Sequence, residues 1–315
     1  MKRSRLRWTA LAIALVAMLG CQRESKLRIG FVVTTLANPY FVDMTDAAKQ
    51  EGQKHPNLEL IVQAPDSATD TDRQIQIIED LITQRVNAIC VVPADSKSIV
   101  RVIAKANQAN IPFLVLDNKV DEKTARDAGV NITAFIGSNN FLGGQLAGQF
   151  LGQQLKGVGK VAILEGITGV EAAVQRKSGF LDALKAFPQI QVVASQPANW
   201  DREKGMNVAQ SIMQANPQLA GIFACNDEMA LGAVRAIKET GAKRHPIVVG
   251  FDAIQDALAA IKAGDMAATV AQLPAEVGRL GVATALSKIE GASVPASIPT
   301  EVKLITNENV ASLRH

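Results

Sequence analysis

Residues 32–41, VVTTLANPYF, join an apolar β-branched run to two threonines, an Asn-Pro pair and two aromatic rings. Asn38 is a helix N-cap type, and Pro39 suits a first helical position because the N–H it lacks would have no partner there. The stretch therefore predicts a strand turning directly into a helix. Thr34, Asn38, Tyr40 and Phe41 then stand at the carboxyl end of that strand, where open α/β sheets bind ligands. The same juxtaposition recurs along the chain: Asp117 ends FLVLD, Trp200 and Asn226 follow strand-like runs, Phe251-Asp252 closes IVVGFD, Gln272 ends ATVAQ, and Arg176 lies in mid-helix. Carboxylates, amides and a guanidinium can grip polar edges, while flat rings can cover an apolar face. Taken singly each residue has a plainer use, Asn226 as a helix cap, Arg176 in a solvated ion pair, the rings as core. Taken together they point to a site, because only 13 aromatic residues occur in the chain and four of them, Tyr40, Phe41, Trp200 and Phe251, flank these polar ends.

Other chemistries lack their parts. The three histidines, His55, His245 and His315, stand in no metal-ligand spacing, so no metal site is expected. GITG at 166–169 does not have the GxGxxG spacing, and neither a GxxxxGK[ST] loop nor a GxSxG elbow occurs. Neither a catalytic residue nor a cofactor is expected, and the protein reads as no enzyme. Cys90 and Cys225 lie in apolar runs and read as buried thiols; a disulfide between them is conceivable in an oxidising compartment, but no CxxC pairing requires one.

The elements that must position these residues alternate regularly. LRIGFVV, LELIV, AICVVP, FLVLD, AFIGS, VAILEG, QVVAS, GIFAC, IVVGFD and ATVAQL read as strands, separated by stretches with apolar residues at i, i+3, i+4 and i+7. Near-continuous apolar strands imply parallel sheets covered on both faces, and ten strands exceed a usual sheet of about five or six. Two similar α/β halves fit better, and VVPADS and FACNDE, which both end a strand in polar helix-starting residues, suggest a duplication. No low-complexity linker separates the halves, so short crossovers forming a hinge are expected.

At 315 residues, with 48% hydrophobic and 20% charged residues, the chain suits two cored domains. Its first 20 residues differ: MKRSRLR is basic, and the 12-residue run WTALAIALVAML is too short to span a bilayer, which marks a secretory signal. The MLGC ending resembles a bacterial lipobox, in which Cys21 becomes the lipidated first residue; an ordinary cleavable signal is the alternative. Residues 1–20 carry four positive and no negative charges, so the formal +3 becomes −1 once they are removed. No basic face interleaved with aromatics remains to bind nucleic acid.

In TLANPYFV, ANQANIP, SQPANWDREKGMNV, NDEMALGAVRA, VVGFDA and ATVAQLP the sequence resembles the ribose-binding-protein family, the sugar receptors of bacterial ABC importers, from about Leu27 to about Thr306. The resemblance implies two Rossmann-like domains with parallel sheets, joined by a three-crossover hinge near Gly137-Ser138, Gln272-Leu273 and Lys303-Leu304. It places residues 26–137 with 273–303 in the first lobe, and 138–272 with 304–315 in the second. Carried over by position, ligand contacts fall on Thr34, Asn38, Tyr40, Phe41, Asp117 and Asn118 in the first lobe. Arg176, Trp200, Asn226, Phe251, Asp252 and Gln272 supply the second. Rings against the C–H faces of a sugar and charges at its hydroxyl rim suit that chemistry.

Two positions depart from the ribose binders: Val92 stands where they carry asparagine, and Asn118 where they carry arginine. The expected ligand is therefore a pentose, hexose, deoxy sugar or polyol other than ribose, presenting fewer hydroxyls on that side. The resemblance further implies a monomer that closes on its ligand, is held at a membrane by a lipid on Cys21, and delivers to an ABC permease. A receptor for a chemotaxis or sensor-kinase partner is the alternative. A transcription repressor of this fold would need a helix-turn-helix where the export signal stands.

Overall fold

A computed structural model describes residues 26–240 and 245–312, so the signal segment and Cys21 lie outside the described residues. Each βα turn sends the chain from a buried strand into a helix on the sheet face. The first half runs β1 (Leu27–Val32), α1 (Pro39–Gln53), β2 (Leu58–Gln63), α2 (Thr71–Thr83), β3 (Ala88–Val91), α3 (Val100–Gln108), β4 (Phe113–Leu116), α4 (Glu122–Asp127) and β5 (Ala134–Ser138). The second runs α5 (Asn140–Gln154), β6 (Val158–Glu165), α6 (Glu171–Leu184), β7 (Gln189–Pro197), α7 (Arg202–Ala215), β8 (Leu219–Ala224), α8 (Asp227–Thr240), β9 (Ile247–Asp252), α9 (Gln255–Ala263) and β10 (Ala268–Ala271). Then follow α10 (Pro274–Ile289), β11 (Ser297–Thr300) and β12 (Lys303–Thr306).

Two six-stranded sheets result, ordered β11-β5-β4-β3-β1-β2 and β12-β10-β9-β8-β6-β7. Without β11 and β12 the two orders are the same topology, as a duplication requires. Every pairing is parallel except that of β12 with β10. The central strands β3, β4 and β10 are buried at every residue, which is why they are continuous apolar runs without alternation. The two-sheet α/β architecture expected from the sequence is the one observed.

Three segments cross between the sheets: Ser138 to Asn140, Ala271 to Pro274, and Thr300 to Lys303. The last is a correction. Lys303 already pairs with Ala271 in the second sheet, so the crossing lies at Glu301-Val302, two residues before the expected point. Both edge strands also escaped the sequence reading, since SIPT and KLIT mix polar and apolar residues and gain their order from pairing with β5 and β10. Ser138 Oγ and Thr300 Oγ1 lie 3.0 Å apart and tie two of the crossings together.

Cys90 and Cys225 are free and buried, one in each lobe, and burial pushes both thiols up to about 12. Among the described residues no helix is long and apolar enough to cross a membrane, and no cluster of three metal-ligating side chains occurs.

Candidate functional site

The βα turns of both lobes open onto one cavity of about 390 Å³, at the lower end of the usual range for small-molecule sites. Thr34, Asn38, Tyr40, Phe41, Asp117 and Asn118 line it from the first lobe. Arg176, Trp200, Asn226 and Asp252 line it from the second.

Local rules place the first-lobe wall. Asn38 caps α1, its Oδ1 accepting from the Tyr40 N–H at 2.9 Å, and Pro39 takes the first turn. The cap fixes the direction of Tyr40 and Phe41, whose rings meet edge to face at 5.2 Å. The Tyr40 hydroxyl donates to Asp117 Oδ1 at 2.6 Å, and both residues are buried. Asp117 itself turns the chain out of β4 with φ of 58°, a left-handed conformation costly for most non-glycine residues. Burial raises the Asp117 carboxyl above its ordinary value, against the opposing pull of Arg176 and the Tyr40 bond. Asn118 donates its Nδ2 to the Pro93 carbonyl at 2.9 Å, leaving its Oδ1 as the open end.

The second-lobe wall is built around Arg176. The close crossing of α5 and α6 sets its height, because Gly144 lies against the Arg176 carbonyl and Gly179 against that of Phe141, with no room for a Cβ at either. The guanidinium Nε donates to Asn140 Oδ1 at 2.8 Å, and Nη1 donates to the Cys225 carbonyl at 2.7 Å and to Asp252 Oδ1 at 3.2 Å. Its carbon stands 3.9 Å from the Phe251 ring centroid and 5.4 Å from that of Trp200. Nη2 makes no bond among the described residues. Asp252 is raised to about 7, chiefly by burial and against the pull of Arg176.

Two expected contacts stand behind the wall. Phe251 is fully buried beneath the guanidinium and against Gly143, while the next residue, Asp252, turns to the cavity with φ of 117°. Side chains alternate along a strand, so one of two neighbours must face away. Gln272, at a crossing, donates Nε2 to Asp252 Oδ1 at 2.7 Å and leaves its Oε1 buried without a partner. Val92 also misses the cavity: its side chain is in the core, and Ala94 lines the wall in that region.

Some of the site was not foreseen. Asn140, which orients Arg176, follows the end of β5 just as Asp117 follows β4, so the strand-end rule could have found it. The Asp66–Thr69 loop after β2 lines the cavity for the same reason. Ser96 ends the VVPADS run and so has the strand-end signal, but nothing in the sequence indicates its partner. It lies in the first lobe, yet its Oγ accepts from the Glu171 N–H at 3.0 Å and its N–H reaches the Gly169 carbonyl at 3.3 Å, both in the second. The N-cap position of helix α6 is Val170, which supplies no side-chain cap, so the cap comes from the opposite lobe.

This arrangement can hold a small, hydroxyl-rich guest by its edges between two rings, and no nucleophile with an adjacent base accompanies it among the described lining residues. Comparison with known proteins agrees. A model of the periplasmic binding protein domain matches residues 29–293. The ribose import binding protein of Escherichia coli (strain K12) is 38% identical over 297 residues, covering 94% of this chain and 96% of that protein. Among solved structures, an ABC transporter periplasmic solute binding protein from Actinobacillus succinogenes with bound D-allose superposes with a TM-score of 0.86 at 36% identity, covering 91% of this chain and all of that one. One from Bacillus halodurans with bound myo-inositol gives 0.84 at 31% identity, covering 93% and 98%. With a shared topology and a match over most of its length, this chain belongs to the periplasmic binding protein family.

Proposed function

We propose that the protein is the solute receptor of an ABC importer for a small monosaccharide or polyol, which it binds between its lobes and delivers to a membrane permease. The observation that carries this reading is the single cavity shared by the Tyr40–Asp117 pair of one lobe and the Arg176–Asp252 pair of the other. Each lobe then holds half of the guest, only the closed form satisfies every contact, and ligand shifts the population towards closure. The hinge is the set of three crossings. The relatives are named for ribose import or were solved with D-allose and myo-inositol, all small neutral polyhydroxy compounds, which supports the class. As a member of a family of solute-binding proteins it is a receptor and not an enzyme.

Ribose is not the preferred guest in this reading. Asn118 spends its amide on Pro93, and of the two arginines lining the cavity only Arg176 is buried, Arg202 being paired with Glu228 and Asp256. A sugar hydroxyl buried without its partner costs about 1 to 3 kcal/mol, tenfold or more in affinity. The protein acts as a monomer, tethered through a lipid on Cys21. Calorimetry or thermal shift of the chain from Gln22 onward, against pentoses, hexoses, deoxy sugars and polyols, tests the proposal. At least one member is expected to bind more tightly than D-ribose. Ribose as the tightest ligand overturns the specificity argument, and no binding by any member overturns the sugar reading. Metabolic labelling with palmitate, lost in Cys21→Ala, tests the anchor.

A further inference from the structure

We propose that the buried pair Asp227 and Thr269 forms a clasp that holds the β9–α9 turn in a left-handed form and so positions the Asp252 carboxylate for the guest. This inference rests on the sugar reading above, and neither residue of the clasp lines the cavity itself.

The turn needs a hold of this kind. Asp252 and Ala253 follow one another with φ of 117° and 61°, and non-glycine residues in that region relax to ordinary backbone unless their surroundings determine them. Arg176 Nη1 and Gln272 Nε2 bond the Asp252 carboxylate at 3.2 and 2.7 Å, but they grip only the side chain once the turn has presented it. The backbone is held from behind. Thr269 Oγ1 accepts from the Ala253 N–H at 3.3 Å, and Asp227 Oδ2 accepts from the Ile254 N–H at 3.0 Å. The Thr269 hydroxyl donates to Asp227 Oδ1 at 2.7 Å, which joins the two holds into one.

The surroundings are built for the pair. Both side chains are 0% exposed, and a carboxylate is buried at tolerable cost only when its oxygens are bonded, as each is here within the clasp. Asp227 opens α8, where the helix dipole favours a negative charge. Thr269 of β10 stands in register with Gly250 of β9, and a Cβ on Gly250 would run into Asp227 Oδ1, so the glycine leaves the space that the carboxylate fills. Were the turn to relax, residue 252 would aim its side chain away from Arg176 and the cavity. Affinity therefore depends on two residues that the guest does not touch.

The test is Thr269→Val. It keeps the shape, but a methyl carbon can neither hold the Ala253 N–H nor sit 2.7 Å from Asp227 Oδ1. By calorimetry the variant is expected to bind the tightest sugar of the panel about fivefold more weakly or worse, and Thr269→Ser, which restores the hydroxyl, to regain most of that loss. A smaller loss in the valine variant overturns the proposal, and so does a serine variant that binds no better than valine. A merely structural role would weaken binding whatever stands at position 252, so the comparison is repeated in Asp252→Asn, by thermal shift at high sugar concentration where binding is weak. There the cost of Thr269→Val is expected to fall below about twofold, and an undiminished cost overturns the positioning role. Amide exchange of the unliganded protein reads the clasp without a ligand and decides the matter where Asp252→Asn binds nothing. The Ala253 and Ile254 amides are expected to exchange about tenfold faster in Thr269→Val with those of β8 unchanged, and uniform acceleration across the lobe, or none, overturns the clasp. Thr269→Ala, which removes the same hydroxyl without crowding, is read by the same outcomes should Thr269→Val fail to fold. If wild type binds no sugar of the panel, it is the sugar reading that falls, and amide exchange still tests the clasp.

Discussion

Replacing Arg176 with methionine removes the cation that the second lobe is built to hold while keeping most of the side-chain volume. In the native protein the guanidinium makes three bonds, to Asn140, Cys225 and Asp252, and covers the face of Phe251. Without it Asp252, 7% exposed, keeps only Gln272. A buried pair broken on one side costs about 3 to 5 kcal/mol when the survivor stays charged. Asp252 already titrates at about 7 beside Arg176, so in the variant it takes up a proton and the cost at pH 7 falls towards the lower figure. Ligand affinity suffers separately, through Nη2: two charge-assisted bonds at the low end of about 1.5 kcal/mol each give a loss on the order of 10²-fold. The assay is calorimetry with the tightest sugar of the panel, paired with thermal melts, on Arg176→Met and on Arg176→Met/Asp252→Asn. The double variant no longer strands a carboxylate, so it should melt higher than the single one and still fail to bind. Affinity within threefold of wild type in the single variant, or binding restored in the double, would refute the assignment of Nη2 to the guest.

Other outcomes follow from the same geometry. Asp252, facing Arg176, Asp117, Asp227 and Gln272, has a folded value of about 7 against 3.8 unperturbed, so its protonation favours the fold below 3.8 and that contribution is lost as pH rises through 7. The unliganded protein should therefore gain stability from this group between pH 8 and 5. Ligand hydroxyls bond the ionised form, so affinity should fall over the same range with proton release on binding, seen as buffer-dependent enthalpy in calorimetry; proton uptake would contradict this. Ser96→Ala removes the cap that α6 receives across the cleft, a bond the proposed hinge opening would break, and should raise the ligand dissociation rate about fivefold with the association rate unchanged in stopped flow. Gly144→Ala and Gly179→Ala each force apart the α5–α6 crossing, costing about 1 to 3 kcal/mol in melts, and should weaken binding too because α6 carries Arg176.

The fold was legible because its signals are redundant. Ten apolar runs match ten strands, and their number already forces two sheets, while β11 and β12 stay hidden because SIPT and KLIT are half-exposed edge strands that mix polar and apolar residues. The cavity wall was legible as far as one rule reaches, that ligands meet the carboxyl ends of parallel strands. That rule says where Phe251 and Asp252 lie along β9 but not which of them faces the cleft, and the strand sends the ring inward. It also says nothing of contacts between distant segments. The meeting of Ser96 with Glu171, 75 positions apart, depends on the angle between lobes, and no local pattern encodes that angle. The Tyr40 hydroxyl is a similar case: the sequence shows an aromatic ring at a strand end, and only packing shows that its oxygen is consumed by Asp117.

The backbone explains why these side chains are ready for a guest. Asp117, Asn199, Trp200 and Asp252, all on the cavity wall, have φ of 58°, 55°, 63° and 117°. Asparagine and aspartate tolerate the left-handed region, but tryptophan does so poorly, and each such residue stores about 1 to 3 kcal/mol. The strain persists because neighbours determine it: the Asp117 N–H is held by Ile136, and the Trp200 carbonyl accepts from Asn226 Nδ2. A left-handed residue at the end of a strand turns the chain sharply, lifting its side chain over the sheet edge towards the opposite lobe. Folding has thereby already fixed the rotamers that binding would otherwise have to order, at about 0.5 to 1.5 kcal/mol for each flexible side chain. On the proposed function, what remains for the ligand is to bring two prebuilt half-sites together, so its affinity would report the cost of closure and the match of its hydroxyls to Asp117, Arg176 and Asp252.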